Sequence, residues 1–234
     1  MCLYPRLIKN PKYKANKKNG GNIPPVLDQR VLYVPIGCQE CIECRKQKAR
    51  EWQLRLSEDI KTNTNGKFIT LTFSNESIKH LWNEIKRLKN GLGELTGYEL
   101  DNAIATLATR RFLERWRKKY KTSVRHWMIT ELGHRGTENI HIHGIIWTDV
   151  PRETVNKIWQ YGYIYYGDNK RHWVNSKTVN YIIKYVTKRD EKHKTYKPTI
   201  LTSGGIGARY TNSPNSKQNS FNGKETIETY TYTE

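Results

Sequence analysis

Two strand-like runs separated by a short polar turn constrain this chain more than any other feature. The first is VRHWMITEL (124–132), rich in β-branched and aromatic residues; the second is NIHIHGIIW (139–147). The stretch from Gly133 to Asn139 reads as the turn of a hairpin. Side chains alternate along a strand, so His141, His143, Ile145 and Trp147 share one face. A third run, KFITLTF (67–73), alternates in the same way. Helical spacing appears from Cys44 to Lys61, where Ala49, Trp52, Leu56 and Ile60 recur on one side. Residues 76–90, 97–120, 153–160 and 177–189 also read as helices, and 162–175 as a hairpin turning at Gly167-Asp168-Asn169. Hairpins and helices alternate irregularly, with no βαβ pattern and no internal repeat. The expected fold class is α+β, with helices packed on an antiparallel sheet.

The remaining segments are polar. Residues 1–37 read as a basic, extended arm, and the chain beyond Lys194 reads as a loosely packed tail rich in Thr, Ser, Asn, Gly and Lys. One domain over 1–193 is expected, with the arm and a cysteine-bearing segment at 1–44, followed by a polar tail over 194–234. No apolar run reaches the length of a membrane span, and MCLYPRLIKNPKYK lacks the apolar core of a secretory signal. A protein that stays where it is made is therefore expected. Lysine and arginine total 41 against 22 acidic residues, a net charge of +19. A soluble chain this basic binds polyphosphate, most often nucleic acid, through phosphate contacts and counterion release.

All four cysteines lie near the N-terminus: Cys2, Cys38, Cys41 and Cys44. With no export signal, disulfides are not expected. The spacing Cys38-x2-Cys41-x2-Cys44 suits zinc, with Cys2 or a histidine as fourth ligand. The same pattern also fits reduced structural thiols at the start of a helix.

His141 and His143 suit one divalent cation, because the sheet fixes the separation of two imidazoles on one face. Glu131, at the end of the preceding strand, returns beside them across the turn. Two imidazoles and one carboxylate leave open metal positions for a scissile phosphate. Taken alone, His-Ile-His is a weak signal, since paired half-exposed histidines are common. The helix VNYIIKYVTK (179–188) strengthens it. Tyr181, Lys184, Tyr185 and Lys188 form one stripe at i, i+3, i+4 and i+7, while Val179, Ile182, Ile183 and Val186 form the opposite one. The first stripe fits a solvated polar face. It also fits two phenol nucleophiles with lysines stabilising the charge that develops on phosphate.

These residues carry a resemblance. NIHIHGIIW together with YIIKYVTK resembles the HUH superfamily of rolling-circle endonucleases, and the Tyr-x-x-Lys-Tyr-x-x-Lys helix resembles replication initiators of microviruses. MCLYPRLIKN, GCQECIECRKQKAREWQLRLSED and SGGIGARY (203–210) are similar to the gokushovirus type, and FITLTF corresponds to the superfamily's first motif. Many relatives have a proline and a histidine where NIHIH stands here, which leaves the metal ligands in place. The resemblance implies an HUH-endonuclease fold over 1–193 and a Mg²⁺ or Mn²⁺ cofactor held by His141, His143 and Glu131. It implies nicking and joining of phage origin DNA, single-stranded or supercoiled, through a 5′-phosphotyrosine. Tyr181 and Tyr185 become the nucleophiles, with Lys184 and Lys188 assisting. It further implies work in the bacterial host cytoplasm beside a host helicase and DNA polymerase, and no membrane partner. Two other readings stand beside it: a non-catalytic single-strand binder, and a plasmid or transposon nuclease of the same superfamily.

Overall fold

The first residues do not form the extended arm that their composition suggests. In the computed structural model, β1 (Arg6–Lys9) pairs antiparallel with β2 (Tyr33–Ile36), setting Leu7 opposite Pro35. Nearly every residue of both strands is exposed, so no apolar alternation marks them in the sequence. Asparagines organise the connection instead. The Asn10 side chain donates to the Val31 carbonyl at 2.9 Å, and Asn16 and Asn19 form a capping box around a 3-10 turn.

The structure describes residues 2–89, 95–133, 138–167, 174–188 and 191–211. They fall into two units, Met1–Glu51 and Trp52–Glu234. Helix α1 (Ile42–Thr62) begins in the first and ends in the second. The second unit continues through β3 (Gly66–Leu71), α2 (Asn75–Lys89), α3 (Gly97–Tyr120), β4 (Arg125–Leu132) and β5 (Ile140–Trp147). It is completed by α4 (Arg152–Trp159), β6 (Ile164–Tyr165), α5 (Ser176–Thr187), β7 (Ile200–Thr202) and the single turn α6 (Ala208–Thr211). Its five strands form one antiparallel sheet in the order β6-β3-β5-β4-β7, so the α+β expectation holds.

Alternation sorts the sheet's side chains onto two faces. Ile69, Leu71, Met128, Ile140, Ile142 and Ile146 point to one face and are fully or almost fully buried. Leu81 of α2, Phe112 of α3 and Trp159 of α4 complete that core. Trp159 also donates its indole N–H to the Thr72 carbonyl at 3.0 Å. On the other face Trp127, Ile129 and Ile145 are buried, and Trp52 of α1 meets Trp127 edge-on at 5.7 Å.

Two expectations need correction. Of the proposed 162–175 hairpin, Ile164–Tyr165 pairs with β3 rather than with a second arm of its own, and Val174 and Asn175 are not strand. Asp168 and Asn169 lie outside the described residues. Nor is the segment after Lys194 loose over its first part. Tyr196 donates to Thr130 Oγ1 at 2.7 Å, and Thr199 bonds Thr130 through both its N–H and its carbonyl. These anchors deliver Ile200–Thr202 to the edge of β4. Farther on, Arg125 grips the buried Asp59 carboxylate with two N–H groups, and Asp59 also accepts the Gly207 N–H at 3.1 Å. Gly207 sits at φ +67 with its Cα against Arg55, where a Cβ would come within 2.6 Å of backbone; only glycine fits there. Among the described residues, no helix is long and apolar enough to cross a membrane.

Candidate functional site

The site forms where α5 lies against the less apolar face of the sheet. Register sets Glu131 directly opposite His141, and sets His143 between Ile129 on β4 and Thr70 on β3. Thr70, Glu131, His141 and His143 therefore project the same way. Glu131 reaches diagonally, so its Oε2 lies 2.6 Å from His143 Nε2. Its other oxygen accepts from Lys188 Nζ at 2.5 Å. Burial pushes the Glu131 carboxyl up, but hydrogen bonds and positive charge from His143 and Lys188 win and hold it down at about 2. It is ionised throughout the neutral range.

His143 is fixed on three sides. Thr70 Oγ1 lies 3.0 Å from its Nδ1, Glu131 from its Nε2, and the Tyr185 ring stacks flat upon it at 4.2 Å and 6°. With Nδ1 protonated toward Thr70, Nε2 carries the lone pair that a cation would use. His141 lies beside Gly133, where a Cβ would come within 3.0 Å of the imidazole. Burial, then the charge of His143, hold its pKa below the usual histidine value, so the neutral, ligating form prevails.

Donor types and shared face suit a divalent cation, and His143 and Glu131 are already gathered. The trio is not yet a closed set. Among the described residues, the four cysteines are the group of three or more whose ligand atoms all lie within 4.8 Å of one another.

Helix α5 begins at an Asn175 cap, whose side chain accepts the Thr178 N–H at 3.0 Å. Its apolar stripe is buried as expected. The tyrosine–lysine stripe, however, is not a solvent face. Tyr185 is only 6% exposed, because its ring covers His143, whereas Tyr181 is 46% exposed. The two hydroxyls meet at 3.0 Å, Tyr185 donating to Tyr181. Burial, the Tyr181 hydroxyl and the charge of Glu131 all push the Tyr185 phenol well above its ordinary pKa. Lys184 Nζ rides over both rings, 3.8 Å from the Tyr181 centroid and 4.9 Å from that of Tyr185. Phe68 of β3 meets Tyr181 edge-on at 5.7 Å.

All seven anticipated residues outside the cysteine group thus lie on two neighbouring elements: Glu131, His141 and His143 on the hairpin, Tyr181, Lys184, Tyr185 and Lys188 on or next to α5. Thr70 and Phe68 were missed. Both lie in the alternating run FITLTF, but only the β3–β5 register reveals that Thr70 meets His143. Cys2, Cys38, Cys41 and Cys44 belong to the first unit. The model of the replication-associated protein ORF2 family matches residues 66–190, more than half of the chain. The chain belongs to that family. The matched span runs from β3 through α5 and contains every one of those seven residues, together with Thr70 and Phe68. A relative, the replication-associated protein ORF2 of Spiroplasma virus 4, is 26% identical over 239 aligned positions, covering 89% of this chain and 69% of the relative. No solved structure matches. A replication-associated protein of this family carries, in this chain, an ordered carboxylate–imidazole–phenol stack.

Proposed function

We propose that this protein is a viral replication initiator of the HUH type, from a microvirus, that nicks and rejoins one strand of origin DNA through its tyrosines. The observation that carries this reading is the stack of Glu131, His143 and Tyr185 with the Tyr181 hydroxyl 3.0 Å beyond. Membership of a replication-associated family and a net charge of +19 support a DNA substrate. A Mg²⁺ or Mn²⁺ ion held by His141, His143 and Glu131 supplies Lewis acidity to the scissile phosphate. Lys188, now paired with Glu131, and Lys184, above both rings, stabilise the added negative charge. Exposure makes Tyr181 the first nucleophile. Its oxygen bonds to phosphorus while the phosphorus–O3′ bond breaks; the phenol gives up its proton and the departing 3′ oxygen takes one up. Tyr185, buried and held neutral, serves the second transfer that closes the circle. Host helicase and polymerase in the bacterial cytoplasm would act downstream.

The test uses full-length protein, a labelled origin oligonucleotide and Mg²⁺ or Mn²⁺. A covalent adduct should form, vanish in chelator, and map by peptide analysis to Tyr181. Tyr181→Phe should lose that first adduct. Tyr185→Phe should keep it but fail to complete repeated rounds, and the double variant should form none. DNA binding without any adduct would leave a non-catalytic binder, and linkage to another tyrosine would overturn the mechanism.

A further inference from the structure

The four cysteines converge although the sequence scatters them. Cys2 lies 36 positions before Cys38, yet their Sγ atoms and those of Cys41 and Cys44 all lie within 4.8 Å of one another. Cys38 and Cys44 sulfurs are 3.9 Å apart, and those of Cys2 and Cys41 3.8 Å. A disulfide needs about 2.05 Å. Tetrahedral zinc with bonds of about 2.3 Å requires sulfur–sulfur edges of about 3.8 Å.

The backbone is arranged for thiolates as well. Cys38 Sγ accepts the N–H groups of Glu40 and Cys41, at 3.4 and 3.2 Å. Cys2 Sγ accepts from the N–H groups of Cys38 and Tyr4, at 3.2 and 3.4 Å. Cys41 Sγ accepts from the Cys44 N–H at 3.5 Å, at the start of α1, where the helix dipole favours negative charge. The turn between Cys38 and Cys41 forces Gln39 to φ +67, an uncommon conformation for a residue with a side chain. At Gly37 a Cβ would lie 3.0 Å from Cys44 Sγ, so the chain passes tight against the cluster. Little else closes this unit: Leu7, Leu27 and Tyr33 are 70%, 95% and 57% exposed.

We propose that Cys2, Cys38, Cys41 and Cys44 bind one structural zinc ion, which ties the first residues of the chain to the start of α1 and closes the segment that carries β1 and β2. Zinc displaces the thiol protons and undergoes no redox change. The site stands apart from the nicking chemistry: it lies outside the family-matched residues 66–190 and uses none of the tyrosines or histidines.

Elemental analysis and native mass spectrometry of the full-length protein test it, with metal content rather than nicking as the readout. About one zinc per chain is expected, without iron. The chain has only four cysteines, so thiol titration gives a second count. The thiols should react slowly in the native protein and all four should appear together with zinc release by a mercurial. Cys2→Ser should lose zinc to a chelator faster than the unaltered protein. Folded protein with no zinc and four fast-reacting thiols, a disulfide in freshly reduced protein, bound iron in place of zinc, or a Cys2→Ser variant that holds zinc as firmly would each overturn the proposal.

Discussion

The two faces of the central sheet are built from the same strands, yet they obey different rules. On one, Ile69, Leu71, Met128, Ile140, Ile142 and Ile146 vanish beneath α2, α3 and α4. On the other, half the sheet is equally apolar at Trp127, Ile129 and Ile145, and then polarity takes over at Thr70, Glu131, His141 and His143. Consecutive residues of one strand, Ile142 and His143, thus serve opposite ends. The first stabilises by burial alone. The second is held by three partners that fix its orientation at some cost in desolvation. Stability and chemistry are separable here to the extent that substitutions on one face leave the other untouched.

The largest effect tests the core face. Trp159→Ala removes a fully buried indole and its hydrogen bond to Thr72, and should cost about 3–5 kcal/mol of stability in denaturant unfolding. The fraction that remains folded should form adduct at an unchanged rate; a rate loss beyond the folded fraction would show the two faces coupled. A smaller effect is expected from Thr70→Val, which keeps the shape but frees His143 Nδ1. The divalent metal concentration for half-maximal adduct formation should rise about 10–100-fold while the unfolding midpoint barely moves. Unchanged metal dependence would return Thr70 to a packing role.

The smallest effect is a pH dependence. The Glu131 carboxyl has a folded pKa of about 2, against an ordinary value of about 4.3 for glutamate. The unfolded chain binds the extra proton between those values, so the stability Glu131 contributes is complete above about pH 5 and is lost as pH falls toward 2. The stability difference between the unaltered protein and Glu131→Gln should be flat near neutrality and shrink only in that acid window. A difference that already shrinks near pH 6 would assign the effect to histidine titration instead.

What could be read from the sequence was whatever rests on periodicity. Alternation marked β3, β4 and β5, and helical spacing marked the five long helices with ends shifted by a few residues. The gathering of Glu131 with His143 followed from one hairpin, because a short turn leaves little freedom. Register did not follow: nothing in FITLTF says that Thr70, rather than Thr72, meets a histidine. The burial of Tyr185 was also hidden, since the stripe Tyr181-Lys184-Tyr185-Lys188 reads as polar until the aromatic ring is seen stacked on His143. Strands β1 and β2 escaped because exposure on both sides removes the apolar alternation, and β7 because its anchor, Tyr196 on Thr130, joins residues 66 positions apart.

The place of β7 bears on how the molecule is made. During synthesis β3, β4 and β5 can pair once Trp147 has left the ribosome, but the outer edge of β4 waits for Ile200–Thr202. Until then it presents unpaired N–H and C=O groups beside Trp127, Met128 and Ile129, the kind of edge on which a second nascent chain can add a strand. The glycines that let the later segment settle against Asp59 therefore govern how long that edge stays open, and the chain guards itself against its own copies with some of the last of its described residues to be translated.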